Sequence, residues 1–199
     1  MVGSAQKRTI YKVLKGITPE EVGFLTDGRK EILYEVNLTG EIMAQLIPEF
    51  SPSLDLVVPR YCPCCSQPWP KGRPIPEGVT LIIKDEVKKT YSGIIIDASA
   101  FKFEPPLFLR IRDKSGHLIY SLSFAERDQV VMNGLVSYLA GDDHLLTHDR
   151  VGSRPLRIRA LNFIDGDLVI SDRDGRLMHG SKHNIELMRQ CRVVVIRQP

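Results

Sequence analysis

Three of the chain's four cysteines, Cys62, Cys64 and Cys65, fall within four positions of "YCPCCSQPWPKGRP". Cys62 and Cys65 have the C-x-x-C spacing of a zinc knuckle, and Pro63 with the prolines that follow would hold such a loop open. Structural zinc wants four ligands, usually two separated pairs, and here only one pair is present. Completion would need Cys191, a histidine, or the same loop from a second subunit. A structural zinc site, a disulfide and unligated thiols in a rigid joint therefore all remain open readings. Redox catalysis fits less well, because a reactive C-x-x-C sits where a helix N-terminus lowers the thiol pKa, and here prolines follow.

Other chemistry-bearing residues match known patterns less closely. His144 and His148 of "HLLTH" would share a helix face, as metal-binding pairs do, but a zinc protease needs Glu where this chain has Leu145. A hydrolase acting through either histidine is the weakest functional reading. Placing Asp172, Asp174 and Gly175 at positions 3, 5 and 6 of a calcium loop puts Ile170 at position 1 and Ser181 at position 12, where carboxylates are required. Ser171 or Asp172 capping a helix is the simpler account. Arg110 and Arg112, and likewise Arg157 and Arg159, alternate with apolar residues, so each pair should leave its strand on the side away from the core. On neighbouring strands they would form a basic stripe, an anion-binding or subunit-contacting face. Aromatic platforms and nucleic-acid motifs are missing, which argues against a nucleic-acid partner. The sequence contains no P-loop, G-x-G-x-x-G or G-x-S-x-G, so no catalytic residue is assigned and an enzyme is not expected.

The elements that must position these residues divide at the proline-rich stretch. Prolines at 59, 63, 68, 70, 74 and 76 exclude helix and central strand there. Residues 1–58 read as an N-terminal α+β unit, 59–78 as a Pro/Cys-rich linker or knuckle, and 79–199 as a C-terminal α+β domain. In the first unit "RTIYKVL" alternates like a strand, and "TPEEVGFL" offers Thr18, Pro19 and Glu21 as a capped helix start. "EILYEVNLTGEIMAQLIP" then alternates until Pro48. In the second, "VTLIIK", "YSGIIIDAS", "LFLRIRD" and "HLIYS" read as strands, the last two joined by a "DKSG" hairpin. "FAERDQVVMNGLVSYLA" reads as an amphipathic helix with Gly134 inside it, and "DDHLLTHD" adds a turn or two. "PLRIRALNF" and "DLVIS" are strands, "DRDGRLMHGSKHNIELMRQ" is mostly helix, and "CRVVVI" is a buried final strand. The fold class is α+β, a mixed or antiparallel sheet with helices packed on one face.

With 199 residues, 43% of them hydrophobic and 26% charged, the chain has an ordinary globular composition. A net charge of +3 does not demand a polyanionic partner, although from Arg150 onward nine Arg and one Lys face four Asp and one Glu. No apolar run approaches the ~20 residues of a membrane-spanning helix. No secretory signal precedes the first strand, so a complete natural chain would be cytoplasmic.

Five segments carry a family resemblance: "YSGIIIDA" (Tyr91 to Ala98), "PLFLRIRDKSGHLIY" (Pro106 to Tyr120), "RVGSRPLRIRAL" (Arg150 to Leu161), "DLVISDRD" (Asp167 to Asp174) and the closing "CRVVVI". In their order and spacing the C-terminal half resembles the bacterial envelope lipoproteins that include the flagellar basal-disk lipoprotein P. The resemblance implies a small α+β domain without catalytic residues or a small-molecule substrate. It also implies a homo-oligomer in rings or coats, envelope or flagellar partners, and an envelope or periplasmic location. Asp97, Asp113 and Gly152 would then be turn or capping residues. The chain departs from this pattern in lacking a lipidated cysteine, in Gly175 and Gly180, which should delay the helix after "SDRD", and in "SAFKFEP" after Asp97. The expected function is thus a non-enzymatic structural or assembly protein of the cell envelope. The alternative is an intracellular zinc-containing adaptor or nucleic-acid-binding module.

Overall fold

"IIIDA" at 94–98 and "VVVIR" at 193–197 are nearly unbroken β-branched runs, the pattern of strands buried on both faces. In the structure, a computed structural model, they lie side by side at the centre of a parallel sheet. Residues 8, 11–12, 14–47, 59–70, 72–84, 89–141 and 148–198 are described. The elements are β1 (Glu21–Phe24), β2 (Lys30–Leu33), α1 (Glu41–Leu46), β3 (Ile94–Ala98), β4 (Arg110–Asp113), β5 (Leu118–Tyr120), α2 (Arg127–Asn133), β6 (Ser137–Ala140), β7 (Leu156–Arg159), β8 (Asn162–Ile164), β9 (Asp167–Ile170), α3 (Asp172–His179), α4 (Lys182–Arg189) and β10 (Val193–Arg197). Among the described residues no helix is long and apolar enough to cross a membrane.

The class is α+β, built on two four-stranded sheets where the sequence suggested one. The first, in order β6-β10-β3-β7, is parallel throughout. The second, β5-β4-β9-β8, is mixed: β4 runs parallel to β9, and β5 and β8 close its edges antiparallel. Alternate side chains of both sheets enter one core, Ile94, Ile96, Val193 and Val195 from the first and Ile111, Leu168 and Ile170 from the second. The helices add Val130, Met178, Ile185 and Met188 to it. On the other face of β3 and β10, Ile95, Val194 and Ile196 pack against Val151. Gly93 permits that approach: a Cβ there would lie 2.5 Å from the Val151 backbone.

The "DKSG" hairpin forms as expected, with Gly116 supplying the positive φ that closes a three-residue turn between β4 and β5. Ser171 caps α3, accepting from the Asp174 N–H at 3.0 Å, so that helix starts promptly at Asp172 and not late. Gly175 is accommodated inside it because a Cβ would come within 2.9 Å of Ile119. The long expected helix is two, since Ser181 starts α4 as a new cap and Asn184 Nδ2 donates back to the Leu177 carbonyl.

Several expected elements are corrected. The described residues of "RTIYKVL", Arg8, Tyr11, Lys12 and Leu14, are helical and not strand, as is Lys15 just after them, with its ammonium 5.0 Å from the Tyr11 ring centroid. The capped helix at "TPEEVGFL" is instead β1, paired with β2 across a turn in which Gly28 has positive φ and Asp27 accepts from the Arg29 N–H. The "EILYEVNL" strand stops at Leu33, and "EIMAQL" is α1. "VTLIIK" contributes only an isolated bridge, Tyr61 to Ile82. "FAERDQVVMNGLVSYLA" is helical only to Asn133; Gly134, at φ 75°, turns the chain and the rest becomes β6, hydrogen-bonded to β10. A backbone pairing available only in the fold overrides the helical spacing there. Met43 and Ile47 of the N-terminal segment are 2% exposed in the core shared with residues beyond 93, and Gly40 N–H donates to the Val131 carbonyl.

Candidate functional site

The cysteine loop has a defined shape. Tyr61 bridges both Pro68 and Ile82, Cys62 N–H donates to the Gln67 carbonyl at 2.9 Å, and Ser66 N–H returns to the Cys62 carbonyl at 2.9 Å. Ser66 takes a left-handed φ of 56°, tightening the turn. Backbone N–H groups of Cys65 and Cys64 hydrogen-bond the Cys62 sulfur, with the Cys65 thiol beside it, and hold the Cys62 thiol below its ordinary pKa. Cys64 and Cys65 are exposed. Cys191 does not join them: it is buried against Tyr120, and burial pushes its thiol up to about 11. Among the described residues no group of three or more His, Cys, Asp or Glu is placed to hold a metal ion.

Next to this loop opens a cleft of about 520 Å³, walled by Tyr61 of the linker, Lys84 beyond it, Asp113 and His117 of the β4–β5 hairpin, and Asp172 and Arg176 of α3. Asp113 is buried and accepts both the backbone N–H of His117, at 2.8 Å, and its Nδ1, at 2.9 Å. This contact fixes the ring of an otherwise exposed histidine. On the cleft floor His179 is nearly buried; burial pushes its pKa down, so the neutral ring donates Nε2–H to the Ile119 carbonyl at 2.8 Å. The sequence reading missed the Asp113–His117 pair. Its one available signal was the i, i+4 spacing across a turn already recognised as a hairpin.

The two arginine pairs do not merge into a stripe, because β4 and β7 belong to different sheets. Arg110 Nε and Arg112 Nε donate to the two oxygens of Asp167, at 2.5 and 2.6 Å, so one nearly buried carboxylate on β9 is gripped by both. Arg112 also reaches the Gly116 carbonyl. Arg157 and Arg159 point outward from β7, an edge strand, with Asp97 opposite Arg159 on β3. The Ser99 hydroxyl first, then its backbone N–H and the Arg159 and Arg157 charges, hold the Asp97 carboxyl below the usual range. Asp97 in β3 and Asp113 at the end of β4 are strand residues whose carboxylates accept from the following turns, at the Ser99 and His117 N–H; Gly152 has φ 61° and packs on Ser92.

His144 lies outside the described residues. His148 borders a second cleft, of about 380 Å³, together with Arg150, Cys191 and Arg192. Its Nδ1 accepts from the Arg150 N–H at 3.3 Å, so its Nε2–H faces the Ser137 hydroxyl at 3.2 Å. Both ring nitrogens serve to pin the 148–151 turn to β6.

Residues 93–199 match the family model described as Treponema pallidum Tp0624, second domain. No curated protein matches the chain. The matched segment starts at the glycine that lets Val151 close on β3 and contains every strand of both four-stranded sheets. Both sheets, the second cleft and all of the first cleft's wall except residues 59–84 thus lie in the family's own portion of the protein, and the chain belongs to the bacterial family of Treponema pallidum Tp0624, second domain.

Proposed function

We propose that the protein is a non-enzymatic structural or assembly component of the bacterial cell envelope, flagellum-associated and ring- or coat-forming, that works through contacts between its copies. The observation that carries this reading is the β1–β2 hairpin. All eight of its strand residues are exposed, Phe24 at 77% and Leu33 at 53%, and Tyr34 and Leu38 just beyond it at 50% each. A lone two-stranded hairpin is marginal in water, and one of its faces carries Val22, Phe24 and Ile32 exposed together, the kind of apolar surface that a partner covers. Unpaired edges on β6 and β7 offer further backbone donors and acceptors for such contacts. Membership of a bacterial family and the five segments resembling the lipoprotein P family support the envelope and flagellar assignment. Anchoring and partner identity follow from that resemblance alone.

The second reading, an intracellular zinc-containing adaptor or nucleic-acid module, is favoured by the knuckle-shaped cysteine loop. The two separate by salt. Apolar self-assembly predicts a sedimentation profile of the full chain that hardly changes with NaCl and collapses toward monomer in Phe24→Ser/Leu33→Ser. A monomer whose binding to DNA or RNA falls steeply with salt would replace the first reading by the second.

A further inference from the structure

We infer that Cys62 and Cys65 are one half of a four-thiolate zinc site completed by the same two residues of a second copy of the chain. The loop already has the form that zinc imposes on a C-x-x-C pair. Backbone hydrogen bonds from Cys62 N–H to Gln67 and from Ser66 N–H back to Cys62 close the turn, the residue after the second cysteine is left-handed, and a short antiparallel bridge from Tyr61 to Pro68 clamps the base. That arrangement leaves the pair little to reorganise when a metal binds. Cys65 is exposed and Cys62 half-buried, so an ion held between them is reachable from outside the chain.

Two donors are too few, because structural zinc closes its tetrahedron with four. The remaining cysteine cannot serve: Cys191 is buried beside Tyr120, and among the described residues no third histidine, cysteine or carboxylate converges on the loop. A two-fold axis through the metal supplies an identical pair with no further sequence requirement, as in any isologous interface. Binding replaces four S–H bonds by four Zn–S bonds and releases four protons, leaving a dianionic centre. Cys64, one position too early for the chelate, is not a ligand. The inference draws on the self-assembly reading only in requiring a second copy.

The test is native mass spectrometry and sedimentation of the full chain, zinc-loaded and then treated with a chelator, with cobalt(II) as a spectroscopic substitute. Expected are one zinc per two chains, the intense charge-transfer and tetrahedral bands of a four-thiolate cobalt site, and a zinc-dependent association that Cys62→Ser and Cys65→Ser each abolish and Cys64→Ser preserves. One zinc per monomer overturns the inference, because the site would then be complete within a chain. So does failure to bind zinc in reduced protein. An oligomer indifferent to zinc would leave self-assembly standing while removing the bridge; a monomer under every condition would remove both.

Discussion

The β1–β2 hairpin and the β3–β10 pair both carry large apolar side chains and meet opposite fates. Val22, Phe24, Ile32 and Leu33 are all exposed, whereas Ile94, Ile95, Ile96, Val193, Val194 and Val195 are at most 1% exposed. Among the described residues the first pair has neighbours on neither edge. The second has β6 and β7 beside it, the second sheet and helices over one face and Val151 over the other. Apolar composition makes a strand; layers above and below it make a core. A stretch can therefore be strongly strand-forming and still belong to an interface.

The contrast is most sharply broken by matched substitutions. Phe124 is fully buried beside Tyr120 and His179, so Phe124→Ala should cost about 3–5 kcal/mol in denaturant unfolding, from lost burial plus the cavity left behind. Phe24→Ser should change the monomer's stability by only about 0.5 kcal/mol. Comparable losses in both would mean that the hairpin is packed within its own chain, removing the main support for an assembly surface.

A middle-sized effect is expected at the ion-pair clamp within the folded region. Hydrogen bonds to charged groups contribute about 1.5–3 kcal/mol, less where the guanidinium is half in water, as at Arg110. Asp167→Ala should therefore lose about 1–2 kcal/mol, while Asp27→Ala, at the exposed and solvent-screened hairpin ion pair with Arg29, should lose clearly less. Equal losses would show that burial does not distinguish the two pairs.

The smallest effect is in pH. His179 titrates below the usual histidine value because it is buried, with Asp113 opposing that shift. Unfolded protein takes up the proton near pH ~6.5 and folded protein only below that, so the contribution is complete above ~6.5 and is lost as pH falls. Wild-type Tm should drop more than that of His179→Gln between about pH 7 and about pH 5. An identical drop in the two would place the acid sensitivity elsewhere.

Several mistaken expectations share a cause. The capping signature at Thr18 to Glu21 is genuine as a local signal, yet the Asp27–Gly28 turn brings residues 21–24 against 30–33 and the hairpin forms. Asp165–Gly166, just ahead of the calcium-like aspartates, is a two-residue hairpin turn with both φ positive, joining β8 to β9. In each case the Asp–Gly pair was the more informative feature.

By itself the sequence determined the residues whose local chemistry leaves few options. The β-branched runs of β3 and β10, the Gly116 turn, the Ser171 cap and the C-x-x-C loop framed by prolines are all legible within a few positions of themselves. Only the tertiary structure decided that "SYLA" pairs with β10 and leaves the helix, that the strands divide between two sheets, and that Arg110 and Arg112 close on Asp167 more than fifty positions away. The reason is that backbone donors, buried faces and charges are satisfied by whichever partners the fold brings near, and a linear pattern records the demand for a partner without naming it.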